Sequence, residues 1–292
     1  MKEAGDARRN LEETLVKLRT DYIDVYLLHC ITESSLEAIK ERGVFDEFQR
    51  FKSEGLIRHV GFSYHGGFGG FKSALEYYPW EVAQVQQNFL DVENDATAEA
   101  ITLAGQRNAA CVIMEPLRGG GLSHAPAPVK KLYNAFPVKR SPTEWAFRHL
   151  LNYSKVSCVL SGMSEIEQLI ENAEIFSKED AVAGCMTEDE KKLLLSVKAA
   201  YESIVTIPCT GCGYCMPCPQ KVGIPGVFGN YNNGMRFGHF DAQRRSYMFA
   251  VNGERDASKC VSCGECVTKC PQNVDIPAQL AAAHEALRGW VE

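Results

Sequence analysis

No apolar run in the 292 residues approaches the roughly 20 that a membrane-spanning helix needs. The N-terminus, Met1-Lys-Glu-Ala-Gly-Asp-Ala-Arg-Arg, has no apolar stretch of the kind that marks a secretory signal. Nor is there an excess of positive charge: the formal net charge is −6, so the electrostatic footprint of a nucleic-acid binder is missing. These absences lead to the expectation of a cytoplasmic protein with no membrane span and no nucleic-acid partner. Hydrophobic residues make up 45% of the chain, enough to pack one large or two modest domains.

What the chain has in quantity is cysteine, twelve in all. Eight fall in two runs near the C-terminus. The second run, Cys260-Val-Ser-Cys263-Gly-Glu-Cys266-Val-Thr-Lys-Cys270-Pro271, has the C-x2-C-x2-C-x3-C-P spacing of a bacterial [4Fe–4S] ferredoxin site. The first, Cys209-Thr-Gly-Cys212-Gly-Tyr-Cys215-Met-Pro-Cys218-Pro219, is the same with one residue fewer before the last cysteine. The echo continues, Pro219-Gln-Lys-Val-Gly-Ile-Pro225 matching Pro271-Gln-Asn-Val-Asp-Ile-Pro277. Thiolates two residues apart on a tight loop can reach neighbouring irons of one cubane, and Gly213 and Gly264 let the backbone approach the inorganic sulfides. Zinc is the competing reading, but its sites use paired C-x2-C units, and a third and fourth cysteine this close argue against it. In two-cluster ferredoxins the fourth cysteine of each run ligates the other cluster. The expected sets are therefore Cys209, Cys212, Cys215 and Cys270, and Cys260, Cys263, Cys266 and Cys218. Cysteine ligands of iron also fit a reducing compartment. Cys30, Cys111, Cys158 and Cys185 have no partner at ligand spacing and read as small buried hydrophobes.

Ahead of the cysteine runs, strand-like and helix-like segments alternate. Strands are predicted at Tyr22–His29, His59–His65, Val82–Phe89, Ala110–Glu115 and Val156–Leu160, each a short apolar or β-branched run. Helices are predicted between them. Asp6 opens one with Leu11, Leu15 and Leu18 on one face, and Gly55 stops another that carries Val44, Phe45, Phe48 and Phe51. Ser141 with Glu144, Ser164 with Glu167, and Thr187 with Glu190 read as capping boxes. Alternation of this kind implies a buried parallel sheet covered by helices. Residues 223–238 read as a Gly- and Asn-rich connection inside the cysteine-rich module, followed by helices at Asp241–Val251 and Ala278–Trp290. Tyr231, Phe237 and Phe240 are expected to cover the clusters. The expected domains are 1–204 and 205–292.

Tyr22-Ile-Asp-Val-Tyr-Leu-Leu-His29 resembles the fourth barrel strand of the aldo/keto reductases. Ile57-Arg-His-Val-Gly-Phe-Ser63 is similar to their fifth and Gln84-Val-Gln-Gln-Asn88 to their sixth. Met114-Glu-Pro-Leu-Arg-Gly-Gly-Gly-Leu122 is similar to the seventh strand and its loop, and Ser161-Gly-Met-Ser with Glu171-Asn172 to the last strand, loop and helix. With its cysteine runs, the chain resembles aldo/keto reductases that carry an appended 4Fe-4S ferredoxin-type domain. The resemblance implies an α/β fold: strands four to eight of a (β/α)8 TIM-type barrel, with a site at the C-terminal strand ends, followed by an α-rich iron–sulfur module. It implies hydride transfer between NAD(P)H and a small carbonyl or alcohol substrate. His29 matches the family's carbonyl-orienting His. Ser63 and Gln84 would hold the nicotinamide carboxamide, Leu117, Arg118 and Gly119 the pyrophosphate, and Glu171 and Asn172 would face the adenine.

The sequence departs from the family in three places. Tyr64 stands where many relatives have Asn, and Gly162, Met163 and Gln168 replace the basic residues that often hold the 2′-phosphate, leaving NADH against NADPH open. No residue matches the family's catalytic Asp, Tyr and Lys, which belong to its first three strands. Five strands cannot close an eight-stranded barrel, and both outer strands would be exposed edges. The reading therefore expects a truncated version of a longer protein, or a second chain that supplies the missing strands. His65 and Glu115 end strands but read as structural. No flavin motif is visible to convert a hydride into single electrons. Two functions stay open: an iron–sulfur oxidoreductase of aldo/keto reductase type, its clusters serving an electron-transfer protein, or a non-catalytic ferredoxin-like carrier.

Overall fold

The computed structural model describes residues 5–91, 97–204 and 206–289. In chain order the elements are α1 (Gly5–Leu18), β1 (Ile23–Ile31), α2 (Glu33–Glu41), α3 (Val44–Ser53), β2 (Ile57–Tyr64), α4 (Phe68–Tyr77), β3 (Val82–Gln86), α5 (Thr97–Gln106) and β4 (Ala110–Met114). There follow α6 (Ala127–Ala135), α7 (Pro142–Leu151), β5 (Val156–Val159), α8 (Ile166–Phe176) and α9 (Glu188–Glu202). The chain closes with α10 (Ile224–Phe237), α11 (Asp241–Asn252) and α12 (Ile276–Leu287). The chain forms two compact units, Met1–Pro116 with Ala146–Met186, and Leu117–Trp145 with Thr187–Glu292. This division differs from a cut at residue 204, because residues 117–145 pack with the cysteine-rich region.

The first unit is built on a five-stranded sheet in the order β1-β2-β3-β4-β5, every neighbouring pair parallel. This is the expected α/β arrangement of consecutive barrel strands. The inner strands β2, β3 and β4 are apolar because helices cover them. Phe62, Ala83, Val85, Cys111 and Ile113 are buried with Phe48 and Phe51 of α3, Phe71 of α4 and Ile101 of α5. Each large side chain withdrawn from water contributes roughly 1.5–3 kcal/mol. The predicted single helix before β2 is two, α2 and α3, because Gly43 adopts φ +66° between them. Leu11 is buried as expected, whereas Leu18, at the end of α1, is exposed. At the N-terminal ends of β2 and β3, Glu81 accepts from the Lys52 ammonium, pairs with His59 Nδ1 at 2.7 Å and accepts from the Val60 N–H at 3.1 Å. Burial works against the ionised Glu81 carboxyl, but these partners outweigh it and hold the group at about 2.

Among the described residues β1 and β5 each have only one strand neighbour. That corrects the reading of the scattered cysteines: Cys111, on the inner strand β4, is buried, but Cys30 and Cys158 lie on the outer strands and are exposed. Helix α8 also starts one residue later than the predicted capping box. The Gln168 carbonyl accepts from the Ser164 and Glu165 backbone N–H groups, so the box uses Glu165 and Gln168.

In the second unit the predicted Ser141 and Thr187 caps are present. Ser141 Oγ accepts from Glu144 N at 3.1 Å, and Thr187 and Glu190 bond reciprocally. Arg140 lies between Glu190 and Glu144 and over the Trp145 ring, its side chain 9% exposed. The expected connection at 223–238 is instead helix α10. Gly and Asn lower helix propensity, but packing decides here: Ile224, Val227, Phe228 and Phe237 are all buried. Asn232 accepts from Ile207 N at 3.1 Å and donates to Ile207 O at 2.7 Å, satisfying a buried backbone. Gly234 is required because the Phe240 ring occupies the space its Cβ would take. Helix α6 has no counterpart among the predicted elements; Pro126 opens it, and its Val129 and Tyr133 are buried.

Candidate metal centre and strand-end site

The two cysteine runs fold alike. Gly211 and Ser262, Gly213 and Gly264, and Lys221 and Asn273 are the corresponding positions, and all six have positive φ. Matching turns follow: Met216 N donates to Gly213 O and Val267 N to Gly264 O, while Lys221 N donates to Cys218 O and Asn273 N to Cys270 O. After each run a buried aliphatic pair, Val222 with Ile224 and Val274 with Ile276, leads into a helix with proline in its first turn. The single-residue difference between the runs thus lies before the fourth cysteine and leaves both turns intact.

Cys209, Cys212 and Cys215 line a small cavity together with Cys270 of the second run. Ile224, Phe228, Val274 and Ile276 form apolar walls. Burial pushes the Cys215 thiol up, and nearby Cys209, Cys212 and Cys270 act in the same direction. Cys266 is likewise raised by burial first and then by Cys260, Cys218 and Cys263. The fourth cysteine of each run is therefore grouped with the first three of the other. Cys212 is exposed, and the Tyr214 backbone N–H lowers its pKa. Among the described residues no three His, Cys, Asp or Glu side chains are arranged to hold one metal ion; the thiols line the walls of a cavity. Four soft sulfur donors around an apolar space suit a [4Fe–4S] cubane, which supplies one-electron chemistry when bound. The walls were not picked out from the sequence, although the repeated Val-x-Ile after each run was their signal. Of the three aromatics expected to cover the clusters, Tyr231 and Phe240 pack on the unit's core beside six of the cysteines. Phe237 points elsewhere, towards Tyr201 and Gly121.

In the first unit, Ser63 and Gln84 are partners in the β2–β3 register. Ser63 is 2% exposed, and its Oγ accepts from Cys30 N at 2.7 Å, which leaves the hydroxyl able to donate. Gln84 Nε2 lies 3.3 Å from Met114 Sδ. His29 is exposed on β1, within the register shift between Leu28 and Ile31. Tyr64 is buried and donates to Gly67 O at 3.2 Å. Asn172 Nδ2 donates to Ser161 Oγ at 3.0 Å, and Glu171 is half-buried beside it on α8.

The loop Leu117–Leu122 belongs to the second unit. Arg118, Gly119 and Gly120 all have positive φ, and Leu122 N donates to Leu117 O at 3.0 Å. The Phe237 ring lies 2.9 Å from where a Gly121 Cβ would stand, and the Arg118 guanidinium lies 5.7 Å from its centroid. The glycines thus allow close packing against α10 within this unit.

The sequence model of the Aldo/keto reductase family matches residues 2–183, and that of the 4Fe-4S dicluster domain matches residues 208–274. The chain belongs to the aldo/keto reductase family and carries a 4Fe-4S dicluster domain. An uncharacterized oxidoreductase of Schizosaccharomyces pombe is 27% identical over 194 residues, 63% of this chain and 60% of that protein. L-galactose dehydrogenase of Arabidopsis thaliana is 25% identical over 193 residues, 58% of this chain and 57% of that one. The chain thus spans about 60% of the length of the curated relatives it matches. An aldo-keto reductase from Bacillus halodurans in its holo form has the same fold over 68% of each chain, with a TM-score of 0.55 and 23% identity. No helix among the described residues is long and apolar enough to cross a membrane.

Proposed function

We propose that the protein works in an iron–sulfur oxidoreductase of aldo/keto reductase type, with NAD(P)H-linked conversion between a small carbonyl and an alcohol and two [4Fe–4S] clusters for electron transfer. The observation that carries this reading is the crossed grouping of eight thiols in a chain whose other half is an aldo/keto reductase sheet. Cys209, Cys212, Cys215 and Cys270 would hold one cluster, and Cys260, Cys263, Cys266 and Cys218 the other. Ser63 and Gln84, side by side on β2 and β3, would orient the nicotinamide carboxamide by hydrogen bonds. His29 would direct an N–H at the carbonyl oxygen. Leu117, Arg118 and Gly119 would meet the pyrophosphate, and Glu171 and Asn172 the adenine. The family's Asp, Tyr and Lys would come from three further strands in an assembled barrel. On this reading residues 1–204 are the barrel portion and 205–292 the cluster domain.

Hydride moves two electrons and a cubane moves one, so direct exchange between them needs a relay or a protein partner that takes single electrons. The test is anaerobic titration of the cluster-loaded protein with NADH and with NADPH while the visible cluster absorbance is followed. Bleaching by either, reversed by a carbonyl substrate, supports coupled chemistry. Reduction by a donor protein, with no bleaching by nicotinamide and no carbonyl reductase activity, would instead favour the carrier reading.

A further inference from the structure

The second unit contains another cavity, of about 500 Å³, lined by none of the cysteines. Ser123, His124, Lys130, Asn134 and Arg140 line it on one side, and Phe237 and Gly238 at the end of α10 on the other. None of its lining residues is an Asp or a Glu, although acidic residues outnumber basic ones in the chain by 37 to 31. That volume lies within the usual range for small-molecule sites.

The walls are held in place without a ligand. Tyr133 stacks on Trp145 with ring centroids 5.9 Å apart, and Arg140 sits over Trp145 at 4.6 Å. Lys139 Nζ binds the carbonyls of Asn134 and Phe136, fixing the end of α6. Tyr201 donates its hydroxyl proton to His124 O at 3.1 Å, fixing the rim. The charge of Arg140 is balanced by Glu190 and Glu144, so the ammonium of exposed Lys130 is the main uncompensated charge in the wall. The His124 ring meets that of His239 edge-on, 4.4 Å between centroids. His239 Nε2 is buried with no hydrogen-bond partner. The site therefore offers the Lys130 ammonium, the His124 imidazole, a hydroxyl and a carboxamide, while Glu190 and Glu144 already engage the Arg140 guanidinium.

We infer that this cavity binds a phosphate-bearing small molecule, with Lys130 and His124 meeting the phosphate. The lining residues differ from those proposed for the nicotinamide cofactor: its pyrophosphate is assigned to Leu117, Arg118 and Gly119, none of which lines this cavity. Because the cavity joins residues 123–142 to the α10–α11 corner, bound ligand would brace the unit that carries the clusters.

The experiment is calorimetry on the cluster-loaded full chain at constant ionic strength, with inorganic phosphate in one arm and AMP in the other. The expected result is saturable binding at one site per chain. Lys130→Glu and Lys130→Gln should weaken it by about tenfold or more, the loss of a charge-assisted contact. Lys131→Glu, which changes a neighbouring exposed lysine outside the cavity, should leave it unchanged. Cluster absorbance checks that each variant is folded. AMP much tighter than phosphate identifies a nucleotide as the source, and equal affinity identifies the phosphate group alone. No saturable binding of either probe, or binding indifferent to both Lys130 variants, overturns the inference. A nucleotide held only at the strand ends would show that indifference.

Discussion

Replacing Cys270 with serine distinguishes crossed ligation from ligation by each run alone. Cys270 belongs to the second run in sequence, but it lines the cavity of Cys209, Cys212 and Cys215. If the grouping reflects ligation, Cys270→Ser takes a thiolate from the first run's cubane and leaves the other set of four complete. A protein loading two cubanes, about eight irons, should then fall to about four. The pattern of freed thiols is more informative than the count. Anaerobic alkylation followed by peptide mass spectrometry should label Cys209, Cys212 and Cys215 in Cys270→Ser and leave Cys260, Cys263 and Cys266 protected. Cys218→Ser should give the reverse pattern. Cys212 and Cys263 are exposed, so reagent reaches each site once its cluster is lost. Labelling of Cys260, Cys263 and Cys266 in Cys270→Ser would mean that each run binds its own cluster, and the crossed assignment would be wrong.

Other expectations follow from the packing. Glu190→Ala leaves the Arg140 guanidinium, 9% exposed, without its main partner, and should destabilise the second unit by about 3–5 kcal/mol in urea unfolding; a loss below about 1 kcal/mol would show the pair to be solvated. Glu81 has its carboxyl lowered from 4.5 to about 2 in the folded state, so its contribution is complete above about pH 4.5 and disappears as the pH falls towards 2. Because its side chain is 37% exposed, screening reduces the nominal shift to roughly 1 kcal/mol, and Glu81→Gln should flatten the acid limb of a stability–pH curve by that amount. Gly234→Ala improves helix propensity but drives a methyl into the Phe240 ring; a net loss of about 1–3 kcal/mol is expected, and a gain in melting temperature would show that the ring moves aside freely.

Much of the fold could be read from the sequence because period and punctuation agreed. All five strands are short apolar runs between helices, and the caps at Ser141 and Thr187 are formed by the predicted side chains. Helix α10 could not be read, since its Gly and Asn content follows from tertiary contacts: Gly234 makes room for Phe240, and Asn232 serves Ile207. The exposure of Cys30 and Cys158 was missed for a related reason. An apolar strand reads as buried whether or not it has a neighbour on each side, and β1 and β5 have one each. Residues 117–145 look like barrel sequence, yet they pack with the cysteine-rich region through Phe237 and Tyr201. For the metal centre, spacing marked the two runs and the two-cluster ferredoxin pattern suggested the crossed partners, while the apolar walls are apparent only in three dimensions.

The most direct test of the account is the iron and acid-labile sulfide content of the anaerobically reconstituted chain, with Mössbauer spectra to identify the clusters. The account predicts about eight irons and eight sulfides per chain in two cubanes. One or two zinc ions, or iron without matching sulfide, would contradict it.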